Sequence, residues 1–470
     1  MRKLFRLFYF ISYLAFRLCE GAVRILPLAA AFLLGKAAGE VAYRCFGKRR
    51  AIALANLRLA FGSERSEAQL RALNRQHFQL LGANLLAGLK CSSMPHDAIW
   101  ERVTAEVPDE RLKSGWVALI SHIGNWELFS HLGERFPEYR FGAIYQGLAN
   151  PYIDRYLSAA RARSGIQLFD RRRELLRCVR FLREGGVVGV LIDQGAGYAG
   201  LWTPLFGRLT SSSTLPATLS IRTALPVVPL SIYTCGRARW KMVIGDPVFP
   251  QEDDQPEAFT ARINRLLEEQ IRRSPADWLW AHNRWKPLRP HFLFTRNQRR
   301  VFLPPGVEAA SLDPFRILVV SPPTAEQVRA ALPAIRAIAA GRPDNWLAVL
   351  SPPSAADIWR DETAVDRVLE VHEGESLSRV AANIRAAAKF DAAIFFDATW
   401  KNALAVRLAG IPIRVGHKRG PGAFLYNQHP ADSGTASTWE GANAQIARCV
   451  GADMSVESIA RHSTPLPPRA

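Results

Sequence analysis

The 470-residue sequence has no cysteine pair with the spacing of a disulfide framework or a zinc site. Its six cysteines stand alone, and none belongs to a CxxC motif. Isolated cysteines are typical of reduced thiols in a protein that faces the cytosol. We therefore predict that the protein has neither disulfides nor a metal site.

The sequence also lacks a long uninterrupted apolar run. Residues 4–35 are apolar and aromatic, but Arg17, Glu20 and Arg24 keep every stretch below the ~18 apolar residues of a clean membrane span. No small-residue cleavage site follows a single short apolar region, which disfavours a signal peptide. An interfacial helix and a marginal single span both remain open. Because of the aromatic density and the basic excess, we favour a membrane-associated helical segment at residues 1–48 over an ordinary buried helix pair.

Acidic residues are scarce relative to basic ones, and the formal net charge is +19. Residues 1–50 contain ten Lys and Arg against only Glu20 and Glu40. This balance implies an acidic partner, which would be nucleic acid, an anionic membrane or an acidic carrier protein. The basic residues concentrate in an apolar segment and no nucleic-acid-binding motif is present, so we predict no nucleic-acid partner. A basic nucleic-acid- or membrane-binding protein without catalysis remains the alternative from a different class.

The order of apolar runs predicts two α/β domains. From about residue 115, strand-like runs such as "WVALI" and "VVGVLIDQ" alternate with helical stretches such as "PYIDRYLSAARARSG". We expect an α/β domain at residues 49–290, with a mixed sheet flanked by helices. A Pro- and Arg-rich linker follows at residues 291–314, then a second, smaller Rossmann-like α/β domain at residues 315–455 and a loose tail at residues 456–470.

A histidine and a carboxylate follow the strand "WVALI". His122 stands at the strand's carboxyl end, where side chains of an α/β sheet open into the ligand crevice, and it can take a proton from a hydroxyl near neutral pH. Glu127 could reach back to orient the imidazole. No nucleophile-elbow sequence is present, so we expect direct transfer to a substrate hydroxyl without a covalent enzyme intermediate.

The stretch "SHIGNWE" resembles the HxxxxD/E signature of the glycerolipid acyltransferase superfamily, and most closely the bacterial lipid A late acyltransferases, the lauroyl/myristoyltransferase family. The likeness continues in order over residues 1–290, through "YQGLANPYID", "RARSG", "LREGGVVGVLIDQ", "PLFGRLTSSSTLPATLS" and "WLWAHNRWK". One departure is Leu205-Phe206-Gly207, where the family has two phenylalanines before the glycine.

The resemblance implies roles for individual residues. His122 takes the role of catalytic base and Glu127 that of its partner, while Asn125 and Trp126 shape the turn between them. The remaining positions within the matching blocks are expected to bind substrate: Tyr145, Asn150, Arg161, Arg163, Asp193 and Gln194.

For several residues the sequence leaves two interpretations open. Arg161 or Arg163 would hold a phosphate or acyl-carrier group, but Arg161 could also lie on a solvated helix face. Asp193 would line the acceptor cleft, or cap the loop 195–200. The run 171–173 is either a solvated basic run or a docking site for an acidic carrier. His131 falls outside the signature, and we predict a structural role for it.

The implied activity is transfer of a fatty acyl chain from acyl-carrier protein or acyl-CoA to a hydroxyl of a membrane glycolipid of the lipid A precursor type. The resemblance implies no cofactor and places the enzyme on the cytoplasmic face of the cell inner membrane. A lysophospholipid or glycerol-phosphate acyltransferase shares the His–acid signature and is the alternative enzyme.

Residues 315–420 resemble the N-terminal half of ADP-heptose:lipopolysaccharide heptosyltransferases, through "RILVVSP" and "FDAAIFFDATWKNALAVRLAGIPIRVG". Glu326-Gln327 stands where that family has Gly-Asp, and the nucleotide-sugar-binding half is missing. We therefore predict a non-catalytic half-GT-B domain that binds a glycolipid or a partner. A stabilising domain without a ligand is the alternative, and the heptosyltransferase likeness favours a glycolipid acceptor for the enzyme.

Overall fold

The computed structural model describes residues 2–107, 115–171, 173–295, 299–396, 399–431 and 438–455. The side chains of residues 2–4, 160, 162 and 163 are outside this description, as is the predicted tail at residues 456–470. The chain divides into two compact units. The first comprises Met1–Phe206 and Thr210–Trp285, and the second Gly207–Leu209 and Lys286–Ala470.

The first unit begins with five helices: α1 (Arg2–Ile25), α2 (Leu28–Cys45), α3 (Gly47–Phe61), α4 (Glu67–Cys91) and α5 (His96–Trp100). Helices α2 and α4 approach closely because glycines line their contact. A Cβ on Gly35 would lie 2.3 Å from the carbonyl oxygen of Gly82, and one on Gly39 would lie 2.1 Å from that of Phe78. The α2 part of the predicted segment 1–48 is therefore packed against α4. Among the described residues, no helix has the length and apolar character needed to span a membrane.

A seven-stranded mixed sheet forms the centre of the first unit. Its strands run in the order β1-β9-β8-β2-β5-β3-β4, and only the β8–β9 pair is antiparallel among the pairs of this sheet. A separate two-stranded sheet joins β6 and β7. The nine strands are β1 (Val103–Glu106), β2 (Trp116–Ile120), β3 (Phe141–Tyr145), β4 (Gln167–Asp170), β5 (Val187–Leu191), β6 (Leu201–Leu205), β7 (Arg208–Ser212), β8 (Val227–Gly236) and β9 (Arg239–Ile244).

Helices cover this sheet, which confirms the predicted mixed α/β class. They are α6 (Leu132–Arg135), α7 (Pro151–Arg163), α8 (Leu175–Arg183), α9 (Leu215–Thr223) and α10 (Pro256–Arg273), with 3₁₀ turns at Trp126–His131, Gly197–Ala199 and Pro275–Asp277. Strand β2 is buried along its whole length. Val117 and Leu119 belong to one apolar cluster while Ala118 and Ile120 belong to another, because successive side chains of a strand point to opposite faces. The apolar run that predicted this strand thus fills two cores.

The second unit contains a five-stranded, all-parallel sheet in the order β12-β11-β10-β13-β14. This order is the 3-2-1-4-5 arrangement of a Rossmann-type sheet when its strands are counted along the chain. The strands are β10 (Phe315–Val320), β11 (Asn345–Ser351), β12 (Arg367–Glu370), β13 (Ala392–Phe395) and β14 (Ile413–Val415), and the helices are α11 (Ala325–Ala339), α12 (Pro353–Arg360), α13 (Leu377–Ala387), α14 (Trp400–Leu408) and α15 (Trp439–Val450). Further 3₁₀ turns lie at Ala309–Ser311 and Ala423–Leu425.

The segment predicted as a linker, residues 291–314, is in part the core of the second unit, and this corrects the prediction. Phe292 and Leu293 are 1% and 0% exposed and belong to the main apolar cluster of that unit. The backbone N–H of Leu293 donates to the carbonyl oxygen of Val450 at 3.0 Å. The apolar triplet Phe292-Leu293-Phe294 outweighs the surrounding prolines and arginines, because its burial stabilises an ordered segment.

Candidate active site

His122 and Asp193 meet because they leave adjacent parallel strands at the same height. Strand β2 pairs with β5, and Ile120 lies opposite Leu191 at the ends of the two strands. His122 and Asp193 each stand two residues beyond these paired positions. The carboxyl ends of parallel strands share one edge of the sheet, so both side chains open at that edge.

The contacts between His122 and Asp193 are short and directional. Asp193 Oδ1 lies 2.8 Å from His122 Nδ1, and Oδ2 accepts the backbone N–H of His122 at 2.8 Å. Trp278 Nε1 donates to the same Oδ2 at 2.9 Å. The carboxylate is buried, at 2% exposure, and its three donors fix both oxygens. The Nδ1 contact sets the orientation of the imidazole, and Nε2 has no hydrogen-bond partner among the residues that the structure describes.

The electrostatics of this pair favour a charged imidazolium. Burial acts to lower the pKa of His122, but the charge and hydrogen bond of Asp193, with the charge of Glu127, raise this pKa above its ordinary value. Burial acts to raise the pKa of Asp193, but His122 and the Trp278 donor lower it below its ordinary value. The pair therefore stabilises the state that exists after the histidine has accepted a proton.

The loop that carries His122 is held by the closing segment of the first unit. The N–H of Leu279 donates to the carbonyl oxygen of His122 at 3.1 Å, and Ile123 forms an antiparallel bridge with Trp278. Gly124 follows with φ +56°, and a Cβ there would lie 2.0 Å from the carbonyl oxygen of Ile232. Only glycine fits this position, since both the left-handed conformation and the close approach exclude a side chain.

Glu127 does not orient the imidazole, which corrects that part of the sequence prediction. Its carboxylate accepts from Trp126 Nε1 at 3.1 Å and lies 3.4 Å from Arg161 Nη2. The physical reason is that His122 and Glu127 do not share a helix, because the turn at Gly124 separates them and a 3₁₀ turn begins only at Trp126. Glu127 acts on His122 through its charge, whereas Asp193 makes the direct contact.

A cavity of about 640 Å³ opens beside this cluster. Ligand pockets typically have volumes of roughly 300–1,000 Å³. The polar wall contains several of the predicted site residues, namely His122, Trp126, Glu127, Tyr145, Arg161 and Gln194. The remaining wall is mainly apolar and comes largely from β2, β3, β5 and their neighbours, including Ala118, Ile120, Phe129, Phe141, Ile144, Leu168, Val190 and Leu230. The cavity can therefore hold a molecule with a polar end at His122 and an apolar tail.

Asn150 and Asn125 do not line the cavity. Asn150 donates to the carbonyl oxygen of Tyr9 at 2.8 Å and accepts the N–H of Tyr152 at 3.0 Å, which fixes the start of α7. The side chain of Asn125 is 2% exposed and does not line the cavity. The Tyr145 hydroxyl contacts Asp154. The expectation for Arg163 concerns a side chain outside the described residues.

Sequence reasoning assigned no role to Trp278 or Arg284, although both lie in the block "WLWAHNRWK". Arg284 is 2% exposed and donates to Thr210 Oγ1 at 2.8 Å, to the carbonyl oxygen of Ser211 at 2.7 Å and to Ser212 Oγ at 2.9 Å. Burial lowers the pKa of Arg284 to about 10, while the charge of Asp193 acts to raise it. The sequence signal that could have indicated these roles is the high content of tryptophan and arginine in "WLWAHNRWK", at the end of the first domain.

Three side chains of types that can bind a metal also come together away from the His122–Asp193 pair. They are His96, His131 and Glu134, which sequence reasoning did not combine. Burial and the neighbouring His96 lower the pKa of His131 to about 4, although the charge of Glu127 acts to raise it. No local spacing pattern could have revealed this group, because His96 precedes the other two by 35 residues or more.

A family model and a known protein match the first part of the chain. The family model described as bacterial lipid A biosynthesis acyltransferase matches residues 2–287. The lipid A biosynthesis lauroyltransferase of Escherichia coli (strain K12) is 26% identical over 276 residues, which cover 56% of this chain and 87% of that protein.

Solved structures give a weaker likeness. E. coli ADP-heptose lps heptosyltransferase II is 20% identical, with coverage of 33% of this chain and 45% of that one and a TM-score of 0.27. E. coli heptosyltransferase WaaC with ADP-2-deoxy-2-fluoro heptose is 22% identical, with coverage of 32% and 54% and a TM-score of 0.27. The chain thus spans about half the length of these structures, and the scores do not establish a shared fold. The family match covers more than half of the sequence, and it shows that this chain belongs to the bacterial lipid A biosynthesis acyltransferases.

Proposed function

We propose that the protein transfers a fatty acyl chain from an acyl thioester to a hydroxyl of a lipid A precursor, with His122 as the general base. The single observation that carries this proposal is the Nδ1 contact with Asp193, at 2.8 Å, on an imidazole that lines the cavity. An imidazole held in this way has one nitrogen fixed and the other available to a substrate hydroxyl. Family membership supports lipid A as the acceptor class.

The proposed reaction moves one proton and exchanges one bond. His122 Nε2 takes the proton of the acceptor hydroxyl, and the hydroxyl oxygen forms a bond to the thioester carbonyl carbon. The carbon–sulfur bond then breaks, and the imidazolium returns the proton to the leaving thiolate. Asp193 stays ionised throughout and stabilises the imidazolium, as a buried carboxylate does for a catalytic histidine in other acyl transfers.

Glu127 and Arg161 have a different proposed role at the cavity wall. Their side chains are paired at 3.4 Å and are 40% and 28% exposed. Arg171 lines the same cavity. Guanidinium groups bind phosphate well, so we expect this wall to receive a phosphate of the donor's carrier group or of the acceptor. The charge of Glu127 also raises the pKa of His122.

The apolar wall is the proposed site for the acyl chain. Burial of a methylene contributes about 0.8 kcal/mol, so each methylene of the acyl chain that this cavity buries strengthens binding. The sequence and the geometry are compatible with acyl-carrier protein or acyl-CoA as the donor. The basic run at residues 171–173 is the element we assign to an acidic carrier, although Arg172 lies outside the described residues.

Helix α1 is the proposed membrane contact, on the cytoplasmic face of the inner membrane. Large apolar side chains are exposed along it: Phe5, Leu7, Phe8, Phe10, Ile11, Leu14 and Leu18. Exposed apolar side chains together with a basic excess are typical of helices that lie in the membrane interface. Deletion of residues 1–25 should release the protein from inner-membrane fractions, and full retention of the deleted form would move the membrane contact elsewhere.

The second unit is proposed to be non-catalytic. Glu326 and Gln327 lie in the first turn of α11, where Thr324 Oγ1 accepts the N–H of Gln327 at 3.4 Å. The position at which the resemblance expects an aspartate therefore carries a neutral helix-start residue. Heptosyl transfer from ADP-heptose to a lipid A core acceptor would contradict this proposal.

The decisive experiment is expression in a host that lacks its own late acyltransferases. Lipid A from cells with the wild-type chain should gain the mass of one acyl group, and lipid A from cells with His122→Ala at equal protein level should not. An unchanged mass in both would refute the acceptor class. Purified protein supplied with lysophosphatidic acid and an acyl donor tests the alternative, because acylation of that acceptor in place of the lipid A precursor would identify a phospholipid enzyme.

A further inference from the structure

The first unit contains a cluster of metal-ligand side chains that the proposed reaction does not use. His96 is the first residue of α5, His131 is the last residue of the 3₁₀ turn Trp126–His131, and Glu134 lies in α6. Their nitrogen and oxygen ligand atoms all lie within 4.8 Å of one another. Three side chains from separate short elements therefore converge on one point.

The distances within the cluster suit a small cation. His131 Nδ1 lies 3.9 Å from Glu134 Oε2, and His96 Nδ1 contacts the same oxygen. A tetrahedral zinc ion with bonds of about 2.0–2.1 Å holds its ligand atoms about 3.3 Å apart. The Glu134 side chain is 33% exposed, so its carboxylate has room to turn and to reach this spacing.

The state of His131 is the second observation that points to a ligand. Its side chain is only 9% exposed, and its buried Nδ1 has no hydrogen-bond partner. A buried polar atom without a partner costs about 1–3 kcal/mol, and such atoms are rare in folded proteins. The His96 and His131 rings are tilted by 52° to each other, with centroids 5.3 Å apart. A bound cation would give His131 Nδ1 a partner and would accept a lone pair from each of the two rings.

We propose that His96, His131 and Glu134 bind a zinc ion that ties α5 to the segment 126–135. Two imidazoles and a carboxylate are a common zinc ligand set, and a water molecule would complete the tetrahedron on the exposed side, where the His96 side chain is 42% exposed. The proposal concerns a site of three ligands outside the cavity, and it stands independently of the acyl-transfer proposal.

The ion would have a positioning role. The segment that ends at His131 begins with Trp126 and Glu127, which line the cavity. Within it, Ser130 Oγ donates to the carbonyl oxygen of Glu127 at 2.6 Å. Fixing the end of so short a segment restrains the carboxylate at its start, and that carboxylate carries the contact with Arg161. The metal thus stabilises one wall of the cavity without touching the substrate.

Cobalt is the probe that reports the ligand geometry directly. The full-length protein, purified in detergent through a tag without histidine, is stripped with chelator and titrated with Co²⁺. We expect one Co²⁺ per chain, with the visible d–d absorption of a tetrahedral nitrogen and oxygen site, and displacement by Zn²⁺. Zinc should also raise the melting temperature of the stripped protein, because a ligand that binds only the native state stabilises it.

Matched variants distinguish this site from surface binding. His96→Ala and Glu134→Ala remove partly exposed ligands and should fold, and each should weaken binding by ~100-fold or more, since even outer-shell changes cost about 10–100-fold. His372→Ala, which removes an exposed histidine of the second unit, should leave binding unchanged. Absence of stoichiometric Co²⁺ binding, or equal binding by wild type and His96→Ala, would overturn the proposal.

Discussion

Asp193→Asn is the substitution that tests the catalytic geometry most sharply. The change preserves volume and removes the charge that lies 2.8 Å from His122 Nδ1. Two unit charges about 4 Å apart interact by about 4 kcal/mol at an effective dielectric of about 20. If the full imidazolium charge forms in the transition state, loss of this interaction lowers kcat by about 10³-fold, since about 1.36 kcal/mol corresponds to a factor of ten.

The pH dependence gives a second, independent readout. The general base must be neutral, so activity falls as the pH falls through the pKa of His122, which Asp193 holds above its ordinary value. Without the carboxylate this pKa falls, and the acidic limb of the kcat profile should move to lower pH while its plateau drops. The assay is acyl transfer to a lipid A precursor in detergent micelles at saturating donor, measured across the acidic and neutral range.

Asp277→Asn is the matched control for this experiment. Asp277 is also buried, at 6% exposure, and accepts from the N–H and Oγ1 of Thr234 at 2.9 and 2.7 Å, but it does not contact His122. Its substitution should leave the acidic limb in place. A folded Asp193→Asn enzyme with an unmoved acidic limb, or with less than about a tenfold loss of kcat, would refute the assignment of Asp193 to the imidazole.

Three further predictions concern the other parts of the molecule. Glu127→Gln should lower kcat only by roughly tenfold, because its charge acts on His122 from a greater distance, and a loss as large as that of Asp193→Asn would assign Glu127 a direct chemical role. Gly189→Val should shift donor preference towards shorter acyl chains, by about fourfold per excluded methylene, because a Cβ there would lie 3.2 Å from Ile120 Cδ1 at the cavity wall. An equal loss of activity for all chain lengths in a competition assay would place the tail elsewhere. A chain truncated after Pro290 should retain acyl transfer in vitro, and loss of activity by a well-folded truncation would show that the second unit contributes to the reaction.

The contact between His122 and Asp193 could have been predicted from the sequence. The runs "WVALI" and "VVGVLI" predicted two strands, and parallel strands buried on both faces are continuous apolar runs. His122 stands two residues after the first run, and Asp193 directly follows the second. Pairing these two strands side by side would have predicted the contact between the side chains, whereas the sequence argument placed them in separate roles.

Other features depended on long-range packing that no local pattern encodes. The sequence predicts that Glu127 reaches back to His122, but the left-handed turn at Gly124 redirects the backbone between them. The apolar triplet within residues 291–314 is too short to predict an element, yet it is buried by partners far along the chain. The convergence of His96 with Glu134 arises from the packing of α5 against α6, which periodicity does not determine.

A buried carboxylate joins helix α1 to α7, and this contact relates the position of Arg161 on α7 to that of α1. Glu20 is 2% exposed, accepts the Tyr156 hydroxyl at 2.6 Å and pairs with Arg24 at 2.8 Å. Separation of the two helices would remove the Tyr156 donor from this buried carboxylate, so we expect α1 and α7 to move together. Tyr156 and Arg161 stand five residues apart on α7, which is about 7.5 Å along the axis. If α1 lies in the membrane interface as proposed, the depth of its insertion sets the height of Arg161 above the lipid headgroups.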